Sequence, residues 1–179
     1  MKLHESITGR LRHFIEAQHV FFVATAPLSA EGHVNVSPKG LDTLRVVDER
    51  TVAYLDLTGS GAETVAHLRE NGRITLMFCA FEGPPNIVRL HGRGRYVSSD
   101  EPGFAVWSDR FSERLGMRGV VVVDVDRVSD SCGYAVPVLS YEGDRDLLDS
   151  WAANRGADAI VRYRAEKNAT SIDGLPALS

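Results

Sequence analysis

From about residue 20 to residue 125 the chain is a series of β-rich apolar runs, several of which alternate apolar and polar residues as half-buried strands do. A period near 3.6 interrupts this pattern at only a few points. Leu11, Phe14, Ile15 and Gln18 share one face of a short amphipathic helix, with Thr8 as its candidate cap. The run Val20 to Ala26 reads as a strand, turned back by Ser29-Ala30-Glu31-Gly32 into a second strand, His33 to Ser37. Leu44–Val47 and Thr51–Leu57 form the next pair, around Asp48-Glu49-Arg50. A helix is expected from about Ala62 to Glu70, closed by Asn71-Gly72 in a left-handed turn.

Strands resume over Ile74–Phe81 and Asn86–Val97, where Gly92 and Gly94 mark bends or bulges. Asp100-Glu101-Pro102 opens a helix that sets Phe104, Trp107 and Phe111 on one face. Val120–Val125 is the last core strand, and helices are expected over about 145–153 and 157–167. Hairpin-spaced strands with few inserted helices favour an antiparallel barrel over a doubly wound parallel sheet. The expected fold is therefore mainly β with peripheral helices, an α+β chain. It forms one domain over 1–179, with a barrel core at about 11–128 and a C-terminal helical extension at about 140–179.

At 179 residues a single core of this size folds without staples. The formal net charge of -4 argues against a nucleic-acid module, which needs a basic face. Cys79 and Cys132 form no CxxC pair, and they read as two buried small residues in a reducing compartment. The six histidines contain no close ligand pair, so no metal site is expected. The N-terminus lacks an apolar leader and no run approaches a membrane span, so the chain reads as cytoplasmic, without a membrane partner.

The chemistry concentrates in Tyr54-Leu55-Asp56-Leu57-Thr58-Gly59-Ser60-Gly61-Ala62-Glu63-Thr64. A strand ends, two glycines turn the chain, and a helix begins. The first amides of a helix lack partners and carry a positive field, and the glycines let an anion approach the backbone. Thr58, Ser60 and Thr64 add hydroxyls. A second reading stands beside this one: Ser60-Gly61-Ala62-Glu63 is also a capping box, which would spend Ser60 on the helix's own amides. The dinucleotide fingerprint G-x-G-x-x-G fits poorly, because Thr64 replaces its third glycine and a long strand follows Glu82. Upstream, Ser37-Pro38-Lys39-Gly40 ends a strand with a hydroxyl, a cation and a glycine. Downstream, one strand face carries Arg89, His91, Arg93 and Arg95, either lining an anionic cofactor or facing solvent.

These strings resemble the pyridoxamine 5′-phosphate oxidase-like FMN-binding split barrels over roughly Leu11 to Val128. Val34-Asn35-Val36-Ser37-Pro38-Lys39-Gly40 is similar to the family's cofactor strand with its lysine. Tyr54-Leu55-Asp56 and Gly59 to Thr64 are similar to the strand and helix start that hold the flavin phosphate, and Val88-Arg89-Leu90-His91-Gly92 to the strand that follows. Ser131-Cys132-Gly133-Tyr134-Ala135-Val136-Pro137 and Asn168-Ala169-Thr170-Ser171-Ile172-Asp173-Gly174-Leu175-Pro176 point to a subgroup other than the oxidase proper. The resemblance implies a split β-barrel of antiparallel Greek-key type and a homodimeric, FMN-dependent oxidoreductase acting on a small molecule. The implied cofactor residues are Ser37, Pro38, Lys39, Gly40, Asp56, Thr58, Gly59, Ser60, Ala62, Glu63, Thr64 and Arg89. A deazaflavin coenzyme is the alternative cofactor, and a non-catalytic flavin, haem or bilin carrier the alternative role.

The departures are specific. The oxidase proper begins its first cofactor strand with an arginine, where Val34 stands here. It holds the phosphate with a serine-arginine-lysine triplet, where this chain has Ala62-Glu63-Thr64. Its arginine-rich C-terminal substrate site is also missing. Pyridoxamine-phosphate oxidase activity is therefore not expected. Cys132 and Tyr134 are candidates for substrate contact, and no catalytic residue is assigned.

Overall fold

The computed structural model describes residues 1–178. In chain order the elements are β1 (Lys2–His4), α1 (Gly9–Glu16), β2 (Phe21–Thr25), β3 (Asn35–Lys39), β4 (Leu44–Val46), β5 (Thr51–Leu57), α2 (Glu63–Asn71), β6 (Arg73–Cys79), β7 (Ile87–Ser98), α3 (Phe104–Ser108), β8 (Met117–Ser131), α4 (Leu147–Arg155) and α5 (Ala157–Lys167). No described helix is long and apolar enough to cross a membrane.

The strands form one antiparallel sheet in the order β3-β2-β6-β7-β8-β5-β4, with β1 alongside the far end of β8. Alternation decides which side chains face inward. Phe21 and Val23 of β2, Leu76 and Phe78 of β6, Val88 and Leu90 of β7, Val121 and Val123 of β8, and Val52 and Tyr54 of β5 meet in one buried cluster. Leu11 and Ile15 of α1 close one end of it. Strands from both ends of the order share this core, so the sheet is curled. Ladder bonds do not join β3 to β4 among the described residues, and the barrel stays split there. A second cluster, built on Leu55, Val97, Val120 and Val122, packs outside against Phe104, Trp107 and Phe111.

Several boundaries differ from the sequence reading. Strand β8 runs to Ser131 rather than ending at Val125, because Val128 to Asp130 pair with β1 on one side and β7 on the other. Strand β1 was not anticipated at all. Thr8 precedes α1 without making a side-chain cap bond. Two expectations hold. Gly72 closes α2 in the left-handed region at φ 70°. Gly92 follows a register shift in β7, where an added Cβ would lie 2.1 Å from the Asp124 carbonyl oxygen. Only glycine fits so close an approach. Cys79 is buried as expected, but Cys132 is exposed, because it follows β8 into the loop.

Candidate functional site

The split between β3 and β5 is lined by polar side chains on the inner face. Lys39 is the register partner of the buried Phe21, Ser37 of Val23 and Asn35 of Thr25, so all three point into the barrel. Across the gap, Lys39 Nζ lies 3.5 Å from Asp56 Oδ1. Asn35 Nδ2 donates to Thr64 Oγ1 at 3.1 Å, and Ser37 Oγ donates to Asn35 Oδ1 at 3.2 Å. Thr25 Oγ1 continues the chain to His67 Nδ1 at 2.9 Å. These contacts draw the two sides of the barrel together along a polar seam.

Asp56 is only 2% exposed, and Arg118 of β8 only 5%. Arg118 Nε donates to Asp56 Oδ2 at 2.6 Å. Burial alone would push the Asp56 carboxyl up, but the Arg118 charge, followed by that of Lys39, holds it below the ordinary carboxylate value. Burial would likewise favour a neutral Arg118, and the Asp56 charge outweighs it. Tyr54, on the same inner face, is fully buried, and its hydroxyl has no hydrogen-bond partner among the described residues. Burial first, then the Asp56 charge, raises its pKa well above the ordinary phenol value. The seam therefore offers a neutral phenol donor with no partner, beside a cation 5.9 Å from its ring centroid. The Thr64 hydroxyl lies beside the phenol and acts the other way, lowering that pKa.

At one end of the seam the chain turns from β5 into α2. The backbone N–H groups of Gly59 to Val65 donate to no acceptor among the described residues. They add the field of the helix start to the seam. The capping-box reading is overturned. Helix α2 starts at Glu63, with Ala62 in the cap position and no side-chain cap bond. Glu63 is thus the first helical residue, two positions ahead of the third-position acid of a capping box. Its Oε1 accepts instead from the Ile172 amide at 3.2 Å. Ser60 is exposed.

The structure places the twelve sequence-selected residues differently. Ser37, Lys39, Asp56 and Thr64 converge on the seam, and Gly59, Ser60, Ala62 and Glu63 frame its amide end. Thr58 lies at the same turn but faces away. It is 1% exposed, its hydroxyl donates to Gly116 O at 2.9 Å, and it accepts from Arg164 Nε at 2.9 Å. Pro38 and Arg89 sit elsewhere. Pro38 pairs with Phe22, Phe22 with Met77 and Met77 with Arg89, which puts both residues on the outer face of the sheet. Arg89 donates there to Ser131 Oγ at 3.2 Å. Alternation along β7 does isolate a basic face, but that face is turned away from the seam of this chain. Gly40 begins the turn after β3, whose Leu41 and Asp42 hold left-handed φ values of 63° and 53°. Backbone strain of this kind is held by its surroundings. Arg45 anchors the Asp42 carboxylate and Arg114 donates to Leu41 O at 3.1 Å.

Sequence reasoning missed Arg118, Arg164 and Asn168. Arg118 Nη1 donates to Gly61 O at 3.0 Å and to Asn168 Oδ1 at 2.9 Å, and Asn168 Nδ2 donates to Gly59 O at 3.0 Å. A hint lay in the sequence, since Arg118 is a charged residue just ahead of an apolar strand run. Its partner could not be named from spacing.

Comparison with known proteins agrees with this fold. The family profile for pyridoxamine 5'-phosphate oxidase matches residues 7–132. The chain is 37% identical to the pyridoxamine 5'-phosphate oxidase family protein ustO of Aspergillus flavus, over 98% of this chain and 77% of that one. Among solved structures, HupZ of Group A Streptococcus superposes with a TM-score of 0.56 at 22% identity, covering 75% of this chain and 99% of that one. A candidate pyridoxamine 5'-phosphate oxidase of Lactobacillus delbrueckii gives 0.54 at 19% identity, covering 72% and 99%. These two structural likenesses bear on the fold. The profile spans the whole barrel and the fungal relative matches along almost the whole sequence, so the chain belongs to the pyridoxamine 5'-phosphate oxidase family.

Proposed function

We propose that this chain binds FMN along the β3–β5 seam and serves as a flavin-dependent oxidoreductase for a small molecule, as a homodimer. One observation carries the reading. The unpartnered amides of Gly59 to Val65, the Lys39 cation and the Ser37 hydroxyl all belong to one seam in a chain of this family. That donor set suits a ligand with a terminal anion and a polar ring edge. The residues present fit FMN, with its phosphate held by helix-start amides and the Ser60 hydroxyl in place of guanidinium groups. Lys39 would favour the electron-rich edge of the ring, and Ser37 would contact the seam-facing side.

A bound flavin supplies the redox chemistry through its ring. The chain's own part is to hold it. Asp56, neutralised by Arg118, keeps Lys39 at the seam without leaving a second buried charge. Glu63 opposes a phosphate, but the Ile172 amide partly offsets its carboxylate. The outer sheet face carries half-buried Phe22 and Met77 and exposed Val36, an apolar surface that a second copy could cover.

The test is the absorbance of the purified protein, followed by chromatography of whatever heat denaturation releases. Two flavin bands and released FMN support the reading. A single deazaflavin band, a Soret band, or no affinity for added FMN contradicts it. Light scattering of the flavin-loaded protein tests the dimer, and a monomer at micromolar concentration would remove that part.

A further inference from the structure

We infer that Asn168, in the C-terminal segment beyond the matched family region, is a positioning residue for the anion-binding loop, so that this segment is part of the ligand site. The inference rests on the FMN reading of the seam and extends it to residues beyond the family profile, which ends at residue 132.

The argument starts from the peptide group. In a trans peptide the C=O and the following N–H point in opposite directions. Whatever fixes the carbonyls of the 59–62 loop therefore fixes where its amides point. Both glycine carbonyls are held from the same side. Asn168 Nδ2 takes Gly59 O at 3.0 Å and Arg118 Nη1 takes Gly61 O at 3.0 Å. The amides of Ser60 and Ala62 are thereby turned to the opposite side. Two glycines have no other side-chain restraint on their torsions, and an unheld loop would lose this alignment to backbone entropy. Asn168 also couples the two anchors, because its Oδ1 accepts from Arg118 Nη1 at 2.9 Å. One side chain thus donates to the loop and accepts from the arginine that grips the loop and neutralises Asp56.

The residue is built for this role. Asn168 is fully buried, both ends of its amide are engaged, its backbone N–H closes α5 on Arg164 O, and its carbonyl accepts from Leu178. An asparagine offers a donor and an acceptor on one short planar group, which neither aspartate nor leucine reproduces. The segment continues across the seam. Ile172 N donates to Glu63 Oε1, and Asp173 accepts from the His33 amide at 2.8 Å and contacts its ring at 2.7 Å, just before β3. From Asn168 to Asp173 the chain straps the start of α2 to the entry of β3.

A merely structural strap predicts that weakening it lowers stability and affects all flavins alike. A positioning role predicts a selective effect on the phosphate. The experiment measures Kd for FMN and for riboflavin, by fluorescence quenching, in the full-length wild type, Asn168→Asp and Arg164→Gln. Thermal melts of the cofactor-free proteins show whether each is folded. Asn168→Asp keeps the size and the acceptor toward Arg118 but sets a carboxylate against Gly59 O. Arg164→Gln releases Thr58 from outside the strap and serves as the second variant if the first does not fold. The expected result is an FMN affinity lowered about five- to tenfold, the effect of roughly one hydrogen bond, with riboflavin affinity unchanged. Equal losses for both ligands, or an unchanged FMN-to-riboflavin ratio in both folded variants, overturns the inference while leaving the FMN reading intact. A wild type that binds the two ligands equally overturns the phosphate reading itself, and the inference with it.

Discussion

Arg118→Met should destabilise the cofactor-free protein more than any surface change, and the loss should shrink on acidification. Arg118 makes two contacts to Asp56, at 2.6 and 3.4 Å, and one each to Gly61 O and Asn168 Oδ1. Methionine fills much of the same space without any of them. Asp56 stays buried with only the 3.5 Å contact to Lys39. Removing one partner of a buried pair costs about 3–5 kcal/mol, because the remaining charge is left under-compensated. For a chain of this size that is a fall in Tm of roughly 6–20 °C. In the wild type the Asp56 carboxyl is held below its ordinary value. Its contribution is therefore present above about pH 4 and is lost as pH falls through the lower folded value. In the variant, burial prevails and the folded pKa rises above the unfolded one. A raised carboxyl destabilises at neutral pH, and that penalty disappears as acid protonates it. Thermal melts by circular dichroism at neutral pH and at about pH 4 should therefore show a large gap that narrows. A gap under about 1 kcal/mol at neutral pH, or one of constant size, would refute the account of the Asp56 pair.

Three further outcomes are expected. Lys39→Ala should weaken FMN binding by about 1–3 kcal/mol, the loss of one charge-assisted contact, and an unchanged fluorescence titration would take Lys39 out of the site. Gly119→Ala should destabilise by about 1–3 kcal/mol, since its Cβ would lie 2.3 Å from the Tyr96 ring, whose hydroxyl donates to Arg118 O at 2.7 Å. A neutral effect in urea unfolding would mean that the ring moves freely. Burial holds the His67 imidazole below its ordinary pKa despite the nearby Asp173, Glu63 and Glu70. The unfolded chain then takes up a proton first, and stability should fall as pH drops below about 6.5. His67→Gln should flatten that fall, and an identical pH profile would show that His67 does not drive it.

What the sequence disclosed, and what it hid, follows from the range of each interaction. The β-rich runs Phe21–Thr25 and Thr51–Leu57 are local signals, so the strands were legible. The left-handed Gly72 was legible for the same reason, as a local backbone demand. The end of β8 was not, because it is polar at Asp126, Arg127, Ser129 and Asp130, and the pairing of Val128 to Asp130 with β1 depends on residues at the other end of the chain. Lys39 was picked out from its motif, and in the structure it points inward beside Asp56. Arg89 was chosen from a real basic face, but periodicity of two does not say which face is the inner one. Thr58 was chosen for its hydroxyl, which two long-range partners consume. Arg118, Arg164 and Asn168 act on loop 58–61 from 57 to 109 residues away, a separation at which no single-sequence pattern exists. The site was legible as far as its strand and its helix start, and hidden where distant chain holds them in place.

The most direct test of the central claim is hydrogen exchange of the full-length protein with and without saturating FMN. The free amides of Gly59 to Val65 exchange rapidly in the empty protein and should slow when a phosphate accepts from them, together with peptides covering Ser37 to Gly40. Protection confined to these two segments is the predicted result. Unchanged exchange at 59–65, or protection that appears instead around the outward-facing Arg89, would contradict a flavin site in the seam.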